Sequence, residues 1–295
     1  MKSGTLALPV SRTRTADFVA LTKPRLNGLV LATTMAGLYL AAEGPLGGAL
    51  VGATLVGTAL VAGGAAALNQ LLERDADARM RRTQSRPLPD GRLQPREVRR
   101  FGAALSVLGV AVLAIGASWL AAAVALSTLV SYVAVYTPLK RRTSFATVVG
   151  AVPGALPPVI GWAAARNALS AEPIVLFAIM FLWQMPHFLA IAWLYRDDYG
   201  RAGFPLLAVV DPGGARTARQ ILVYSCALVP VSLTPTLLGM TGPPYFVGAL
   251  ALGALFIAMG SVFARARTLI AARRLFVASI TYLPLLFALM IFDAR

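Results

Sequence analysis

Long, nearly uncharged apolar segments occupy almost the whole sequence and restrict the folds that are open to it. Each is close to the ~20 residues that a helix needs to cross the ~30 Å hydrocarbon core of a bilayer. In lipid, their backbone polar groups can be satisfied only by helices or by a closed barrel, and continuous rather than alternating apolar residues favour helices. The sequence therefore predicts an all-α polytopic membrane protein with nine transmembrane helices, at roughly 18–42, 46–70, 98–116, 118–138, 146–165, 173–195, 217–238, 244–263 and 274–293.

Composition excludes an ordinary soluble domain. Hydrophobic residues make up 58% of the 295-residue chain and charged residues only 13%, far from soluble averages. We expect a cytoplasmic N-terminal segment over 1–17 and a single transmembrane domain over 18–293. The first 17 residues lack an apolar core followed by a small-residue cleavage site, so no signal peptide is expected. The single cysteine, Cys226, lies inside a predicted span and is interpreted as a packing residue.

The formal charge of +15 has a one-sided distribution. Of the 27 Lys and Arg residues, 25 fall in alternate loops, and only Arg166 and Arg295 fall in the others. Positive charge in alternate loops marks the cytoplasmic face, so we expect the N-terminus inside and the C-terminus outside. A bacterial cytoplasmic (inner) membrane and a mitochondrial inner membrane both fit this pattern, and the short N-terminal extension favours the bacterial one. The same pattern indicates the lipid bilayer, not nucleic acid, as the partner of these charges.

The end of the second predicted span concentrates acidic residues. Three of the twelve Asp and Glu residues lie between Asn69 and Asp77. On a continuous helix, Asn69, Glu73, Asp77 and Arg81 share one face in steps of four, whereas Asp75 points about 160° away from Asp77. Stacked carboxylates at membrane depth repel each other where screening is poor, so a positive partner is required.

Two partners fit this acidic face. Nearby arginines can form a salt-bridge ladder, or Mg²⁺ can bridge the acids to a diphosphate. Oxygen-only ligands suit a hard cation that also binds phosphate. The arginines are also more numerous than neutralisation of the acids requires. The hypothesis of Mg²⁺ bound to a diphosphate is therefore favoured, while a salt-bridge ladder stays open as the alternative. The arginines that follow form a candidate phosphate cradle, because guanidinium binds phosphate oxygens bidentately: Arg79, Arg81, Arg82 and Arg86.

A second acidic segment, with Asp197 and Asp198, follows the sixth predicted span. Adjacent helical residues diverge by ~100°, so one ion cannot easily take both, and Asp198 is the favoured ligand. A basic patch, Lys140-Arg141-Arg142, follows the fourth span and fits either a phosphate contact or a topology anchor. The only histidine, His187, lies inside the sixth span, as a hydrogen-bonded packing residue or as an axial ligand to haem iron.

These segments resemble the UbiA superfamily of intramembrane prenyltransferases, and within it the branch that modifies haem. The resemblance covers essentially the whole chain. The asparagine and two carboxylates match the superfamily element N-x-x-x-D-x-x-x-D, with Glu73 in place of the more usual Asp. The stretches that carry the resemblance are Leu21–Arg25, Asn69–Leu88 with Gly91, Tyr136–Arg141, Gly150–Pro158 and Trp183–Pro205.

The resemblance implies nine helices around a central cavity, capped by two acid-bearing loops. It also implies transfer of a farnesyl group from farnesyl diphosphate to a vinyl group of haem B with addition of water, Mg²⁺ as the cofactor, and a haem A synthase as a downstream partner. The second acidic motif lacks the family's D-x-x-x-D spacing, because Arg201 stands four residues after Asp197.

The expected site residues follow from the motifs and from this resemblance. The catalytic and Mg²⁺-binding set is Asn69, Glu73, Asp77 and Asp198. The diphosphate-binding set is Lys23, Arg81, Arg86, Lys140 and Arg141, and the acceptor contacts are His187 and Tyr136. Two alternatives stay open: a related prenyltransferase acting on a quinone precursor or other aromatic acceptor, and a transporter, since intramembrane acids also mark ion pathways.

Overall fold

The computed structural model describes residues 13–295, and within them the chain is almost entirely helical. A single isolated bridge, between Thr241 and Ala294, is the only β-type pairing in this part of the chain. A π-helical turn, Ser131–Tyr136, joins the helix Trp119–Val130 to the short helix Thr137–Leu139. The helices are α1 (Arg14–Leu21), α2 (Pro24–Leu40), α3 (Gly48–Leu72), α4 (Arg74–Asp77), α5 (Pro95–Gly116), α6 (Trp119–Val130), α7 (Thr137–Leu139), α8 (Ala146–Ala155), α9 (Pro157–Arg166), α10 (Ala171–Leu194), α11 (Arg196–Arg201), α12 (Leu207–Val210), α13 (Ala215–Leu237), α14 (Pro243–Ala266) and α15 (Leu269–Phe292).

The predicted membrane helices are confirmed over residues 13–295. Eight helical segments there are long and apolar enough to cross a membrane. The ninth, α2, has 17 residues, which is the lower end of the range that spans a bilayer. Two spans are composite, because α6, the π-helical turn and α7 form one, and α8 and α9 form another. The protein is therefore an integral membrane protein.

The first predicted span, 18–42, is wrong at its start. The helical conformation is interrupted at Thr22 and Lys23. Lys23 adopts a left-handed backbone conformation (φ 50°) immediately before Pro24, where α2 begins. The amphipathic helix α1 is thus separate from the spanning helix. Residues 1–12 of the predicted N-terminal segment, with the basic residues Lys2 and Arg12, lie outside the described residues.

Close helix packing depends on small residues at a few contacts. At Gly161 of α9 a Cβ atom would overlap the carbonyl oxygen of Thr34, and at Gly37 of α2 it would overlap the carbonyl of Pro158. Glycine therefore lets the backbones of α2 and α9 touch, as is common between membrane helices. The same helices place the N-terminus of α2, with Lys23 beside it, at the end of the bundle where α3 ends.

Candidate active site

The first acidic segment lies where α3 passes into α4. Backbone bonds from the Asp77 amide to the Glu73 carbonyl and from the Glu73 amide to the Asn69 carbonyl (2.8 and 2.9 Å) keep these three residues in steps of one helical turn. The helix ends at Asp77, and turns follow from Ala78. The prediction that Arg81 continues the same helical face is therefore wrong, and its side chain is exposed outside the helix.

Asp77 is the most enclosed of these acids. Asp77 is 0% exposed to solvent, and its Oδ2 atom accepts a hydrogen bond from Arg86 Nη1 at 2.7 Å. Its Oδ1 atom is buried and has no hydrogen-bond partner among the residues described. Thr83 donates to the Asp77 carbonyl at 2.8 Å, which folds the following loop back over the carboxylate and brings Arg86 to it.

Glu73 and Asn69 each contact the segment that ends the fourth span. Lys140 Nζ lies 3.2 Å from Glu73 Oε1 and 3.4 Å from Oε2. The side-chain amide of Asn69 donates to Thr137 Oγ1 at 3.1 Å, which leaves the Asn69 oxygen free to accept. Glu73 and Asn69 are both 3% exposed. The structure thus joins the first acidic segment to the predicted basic patch.

Lys23 completes a cluster of two buried carboxylates and three cations. Lys23 immediately precedes α2. Its pKa is lowered to about 8, mainly because its ammonium group is buried and to a smaller extent because Arg86 is close to it. Burial also opposes the charge of Lys140, but its neighbours, Tyr136 and Glu73 first among them, raise the pKa of Lys140 above its ordinary value. Lys23 is therefore the cation of this cluster that titrates near neutral pH, whereas Lys140 stays charged.

The second acidic loop reaches this cluster through its aromatic residues. Lys140 Nζ lies 4.5 Å from the ring centre of Phe204 and 5.6 Å from that of Tyr199. The Tyr199 hydroxyl accepts from Arg82 at 3.3 Å, and the Arg82 guanidinium also lies over the Tyr195 ring. Sequence reasoning missed Thr137 and Tyr199, although both lie inside segments that it had singled out.

The carboxylates of the second loop have other partners. Asp198 is nearly buried and pairs with Arg201, the residue that stands in place of the family's second acid. Asp197 is almost fully exposed, with a side-chain exposure of 90%. The predicted diphosphate contact Arg141 donates to the Leu72 carbonyl at 2.7 Å and so caps the end of α3.

The predicted acceptor contacts lie deeper in the bundle. His187 is in α10, about 12 Å along the helix from Tyr195, and its ring stacks on Trp183 with centres 5.0 Å apart. Its Nδ1 atom lies 2.7 Å from Ser279 Oγ, which itself donates to the Phe276 carbonyl at 2.6 Å. A Ser279 hydroxyl that donates to the Phe276 carbonyl accepts from Nδ1–H, and in that tautomer Nε2 is the acceptor.

Tyr136 lies in the π-helical turn, between the ionic cluster and the apolar interior. Its ring is 6.0 Å from Lys140 Nζ. A Cβ atom at Gly150 would overlap this ring. The Tyr136 ring can therefore pack against α8 only because residue 150 has no side chain. The turn that carries Tyr136 therefore contacts both the charged end and α8.

Similarity to known proteins extends over most of the chain. Residues 30–288 match the model of the UbiA prenyltransferase family. The chain belongs to the UbiA prenyltransferase family. It is 49% identical to a protohaem IX farnesyltransferase of Solibacter usitatus, over 94% of this chain and 98% of that protein. It is 43% identical to one of Koribacter versatilis, over 99% of both chains.

Solved structures share the UbiA fold at low sequence identity. A digeranylgeranylglyceryl phosphate synthase structure superposes with a TM-score of 0.80, at 14% identity over 95% of this chain and 98% of that one. A UbiA homologue from Archaeoglobus fulgidus bound to GPP and Mg²⁺ superposes with a TM-score of 0.65, at 16% identity over 93% and 99% of the two chains. At these identities the likeness concerns the fold.

The UbiA acidic segment fits a divalent cation by its donor set. Asp77 Oδ1 is buried and has no hydrogen-bond partner within residues 13–295, and Asn69, whose amide nitrogen donates to Thr137, keeps its amide oxygen as an acceptor one helical turn before Glu73. Within residues 13–295 no group of three or more His, Cys, Asp or Glu side chains is arranged to hold a metal. Two carboxylates and an amide suit Mg²⁺, which usually takes one or two carboxylates and fills its remaining positions with water and substrate phosphate.

Proposed function

We propose that this chain is a protohaem IX farnesyltransferase, which transfers the farnesyl group of farnesyl diphosphate to a vinyl group of haem B and adds water, giving haem O and diphosphate. The observation that carries the proposal is the buried cluster of two carboxylates and three cations at one end of an apolar bundle. It occurs in a chain that is similar over nearly its whole length to proteins of that name.

The diphosphate would bind beside this cluster. Lys23, Arg86 and Lys140 are the buried or half-buried cations there, and Arg and Lys bind phosphate oxygens through charge-assisted hydrogen bonds. Arg81 and Arg141 are proposed as outer contacts, because both are exposed at the same end. An incoming diphosphate would take over the charge that Glu73 and Asp77 now supply to Lys140 and Arg86.

Asn69, Glu73 and Asp77 are the residues that would hold Mg²⁺, with Asp198 proposed from the second loop. When bound, this ion supplies positive charge to the oxygens of the leaving diphosphate. The paired residues of the cluster do the same work from the protein side. Lys140 and Arg86 are already oriented by their carboxylate partners, so their charge needs little reorganisation as the leaving group gains charge.

The reaction then requires no covalent nucleophile from the protein. The C–O bond to the diphosphate breaks with its electron pair on oxygen, and the farnesyl group becomes an allylic cation. The vinyl group of haem B attacks this cation, and water adds to the new cation beside the porphyrin and loses one proton. Apolar helices around the farnesyl chain delay the attack of water on the first cation.

His187 and Tyr136 are proposed as acceptor contacts. The free Nε2 atom of His187 can bind the haem iron, because Ser279 holds the proton on Nδ1. The Tyr136 ring lies 6.0 Å from Lys140 Nζ, and Tyr136 is proposed to contact the acceptor at the charged end of the site. The acidic loops and the N-terminus are proposed to face the cytoplasm of a bacterial inner membrane, with a haem A synthase consuming the product.

Mass spectrometry of haem tests the proposed function. Purified protein in detergent is supplied with haem B, farnesyl diphosphate and Mg²⁺, and the extracted haem is analysed. A haem with an added hydroxyethylfarnesyl group is expected, and the product should disappear when the metal is chelated. A quinone precursor supplied in parallel tests the related aromatic acceptors. Prenylation of that precursor with unchanged haem would overturn the assignment of the acceptor.

A further inference from the structure

A groove between α14 and α15 lies on the outer surface of the bundle, away from the ionic cluster. It encloses about 510 Å³ and is lined mainly by apolar side chains, with Phe256 and Met259 on α14 and Val277 and Leu285 on α15. Hydroxyl groups in its wall have partners, since Tyr282 bonds to Ser232. The groove therefore presents a surface suited to a hydrocarbon chain.

Two arginines form one end of this groove. Arg273 and Arg274 both line it and are both exposed, and neither has an ion-pair partner among residues 13–295. The opposite end, at Leu285, is eleven residues further along α15, or about 16 Å. That distance is close to the ~15 Å thickness of half the hydrocarbon core.

We propose that this groove binds an anionic phospholipid of the leaflet that adjoins the basic loops. One acyl chain would lie between α14 and α15, and the headgroup phosphate would bind Arg273 and Arg274. The length of the groove matches a chain that begins at the headgroup and ends at the bilayer midplane. Two neighbouring guanidinium groups without a carboxylate complement an anionic headgroup.

The site differs from the general attraction of a basic surface for anionic lipids. Arg219 and Arg265 lie at the same end of the bundle, are exposed, and also lack an ion-pair partner among the described residues. They do not line the groove. Non-specific attraction would depend equally on either pair of arginines, whereas a built site depends on Arg273 and Arg274.

Native mass spectrometry of the full chain, with dioleoylphosphatidylglycerol or dioleoylphosphatidylcholine added in detergent, tests the proposal. The wild type should bind the anionic lipid more tightly. The double variant Arg273→Gln/Arg274→Gln should bind it about 30-fold more weakly, given the usual contribution of two arginines at an anionic surface. Arg219→Gln/Arg265→Gln should bind as the wild type does. Equal losses in the two double variants would overturn the site.

A filled groove provides a second test that leaves both arginines intact. Ala278→Trp should weaken binding of the anionic lipid, whereas Val247→Trp, on a lipid-facing surface of α14 outside the groove, should not. Retained binding in Ala278→Trp overturns the proposal. Displacement of the bound lipid by farnesyl diphosphate would also overturn the proposal, because it would mark the groove as a prenyl site. A dimer that dissociates when Ala278→Trp fills the groove would overturn it too, because the groove would then be a dimer interface. The test does not depend on the proposed reaction.

Discussion

Arg86 and Asp77 form an ion pair in which one carboxylate oxygen is used and the other is not. Nη1 of Arg86 lies 2.7 Å from Oδ2, while the buried Oδ1 has no partner among the described residues. A buried acceptor without a partner costs about 1–3 kcal/mol. The arrangement therefore favours a further positive ligand at Oδ1, and it orients Arg86 for the diphosphate that we propose to bind there.

Replacing Asp77 by Asn should reduce farnesyl transfer at least ~100-fold, the scale of losing an oriented electrostatic contact in a transition state. The amide retains the shape of the side chain, so membrane insertion should be unchanged. Turnover of haem B is the measurement. Asp75→Asn is the matched control, because the Asp75 side chain is 69% exposed and pairs with Arg74 in the same helix. Equal rates in the two variants would remove Asp77 from the site.

The spans were predictable from the sequence because hydrophobicity is a local property that accumulates over twenty residues. The break at Lys23 was not, since its left-handed backbone belongs to the turn between α1 and α2. The end of the helix at Asp77 was also missed. There Thr83, six residues further on, bonds to the Asp77 carbonyl, and such a loop contact leaves no periodic pattern.

The positions of the candidate site residues were easier to predict from the sequence than their side-chain partners. The steps of four from Asn69 to Asp77 are short-range and are present in the helix. The pairing of Glu73 with Lys140 joins residues 67 positions apart, so charge balance alone could not distinguish it from a pairing with one of the loop arginines. In the structure Arg86 pairs with Asp77 and Lys140 pairs with Glu73. The second pair depends on how α7 packs against α3.

Binding of farnesyl diphosphate should weaken as pH rises above about 8, where Lys23 loses its proton in the free protein. A bound diphosphate raises the pKa of Lys23, so binding takes up a proton. Affinity should be constant below the pKa of the free protein and should fall up to tenfold per pH unit above it. Calorimetry with a non-reactive farnesyl diphosphate analogue between pH 7 and 9.5 measures this slope.

Lys23→Arg is the control for this pH dependence, because arginine stays charged throughout the range. Its affinity should not vary with pH beyond the ionisation of the ligand itself. Lys140 should contribute no slope, since its pKa lies above the ordinary value. A wild-type profile that Lys23→Arg reproduces would show that another group titrates.

Arg92 should control activity through the loop that carries Arg86. Its Nε atom lies 3.0 Å from Oδ2 of the buried Asp17, and its Nη2 donates to the Ser85 carbonyl at 3.1 Å. Arg92→Gln should therefore raise the KM for farnesyl diphosphate about tenfold, from imperfect placement of Arg86, with a smaller change in kcat for bound substrate. Steady-state kinetics separates the two parameters.

Arg14→Gln is the comparison for Arg92. Arg14 also ties α1 to the rest of the protein, through Glu97 of α5, but does not contact the loop. Its KM should stay at the wild-type value. If both variants raise KM equally, attachment of α1 as a whole is responsible, and the proposed role of Arg92 in placing Arg86 is contradicted.

The contact between His187 and Ser279 should decide how haem B binds. Ser279→Ala removes the acceptor that holds the proton on Nδ1, so the proton can move to Nε2 and block the lone pair that would bind iron. The affinity for haem B should therefore fall about tenfold, the lower end of the loss expected when a supporting contact of a metal ligand is removed. His187→Ala should change the Soret band of bound haem B, and added imidazole should restore it. Thr128→Ala is the control, because among residues 13–295 its hydroxyl bonds only to the Val124 carbonyl of its own helix. An identical haem spectrum in His187→Ala would place the iron on another ligand and leave His187 as a packing residue between Trp183 and Phe276.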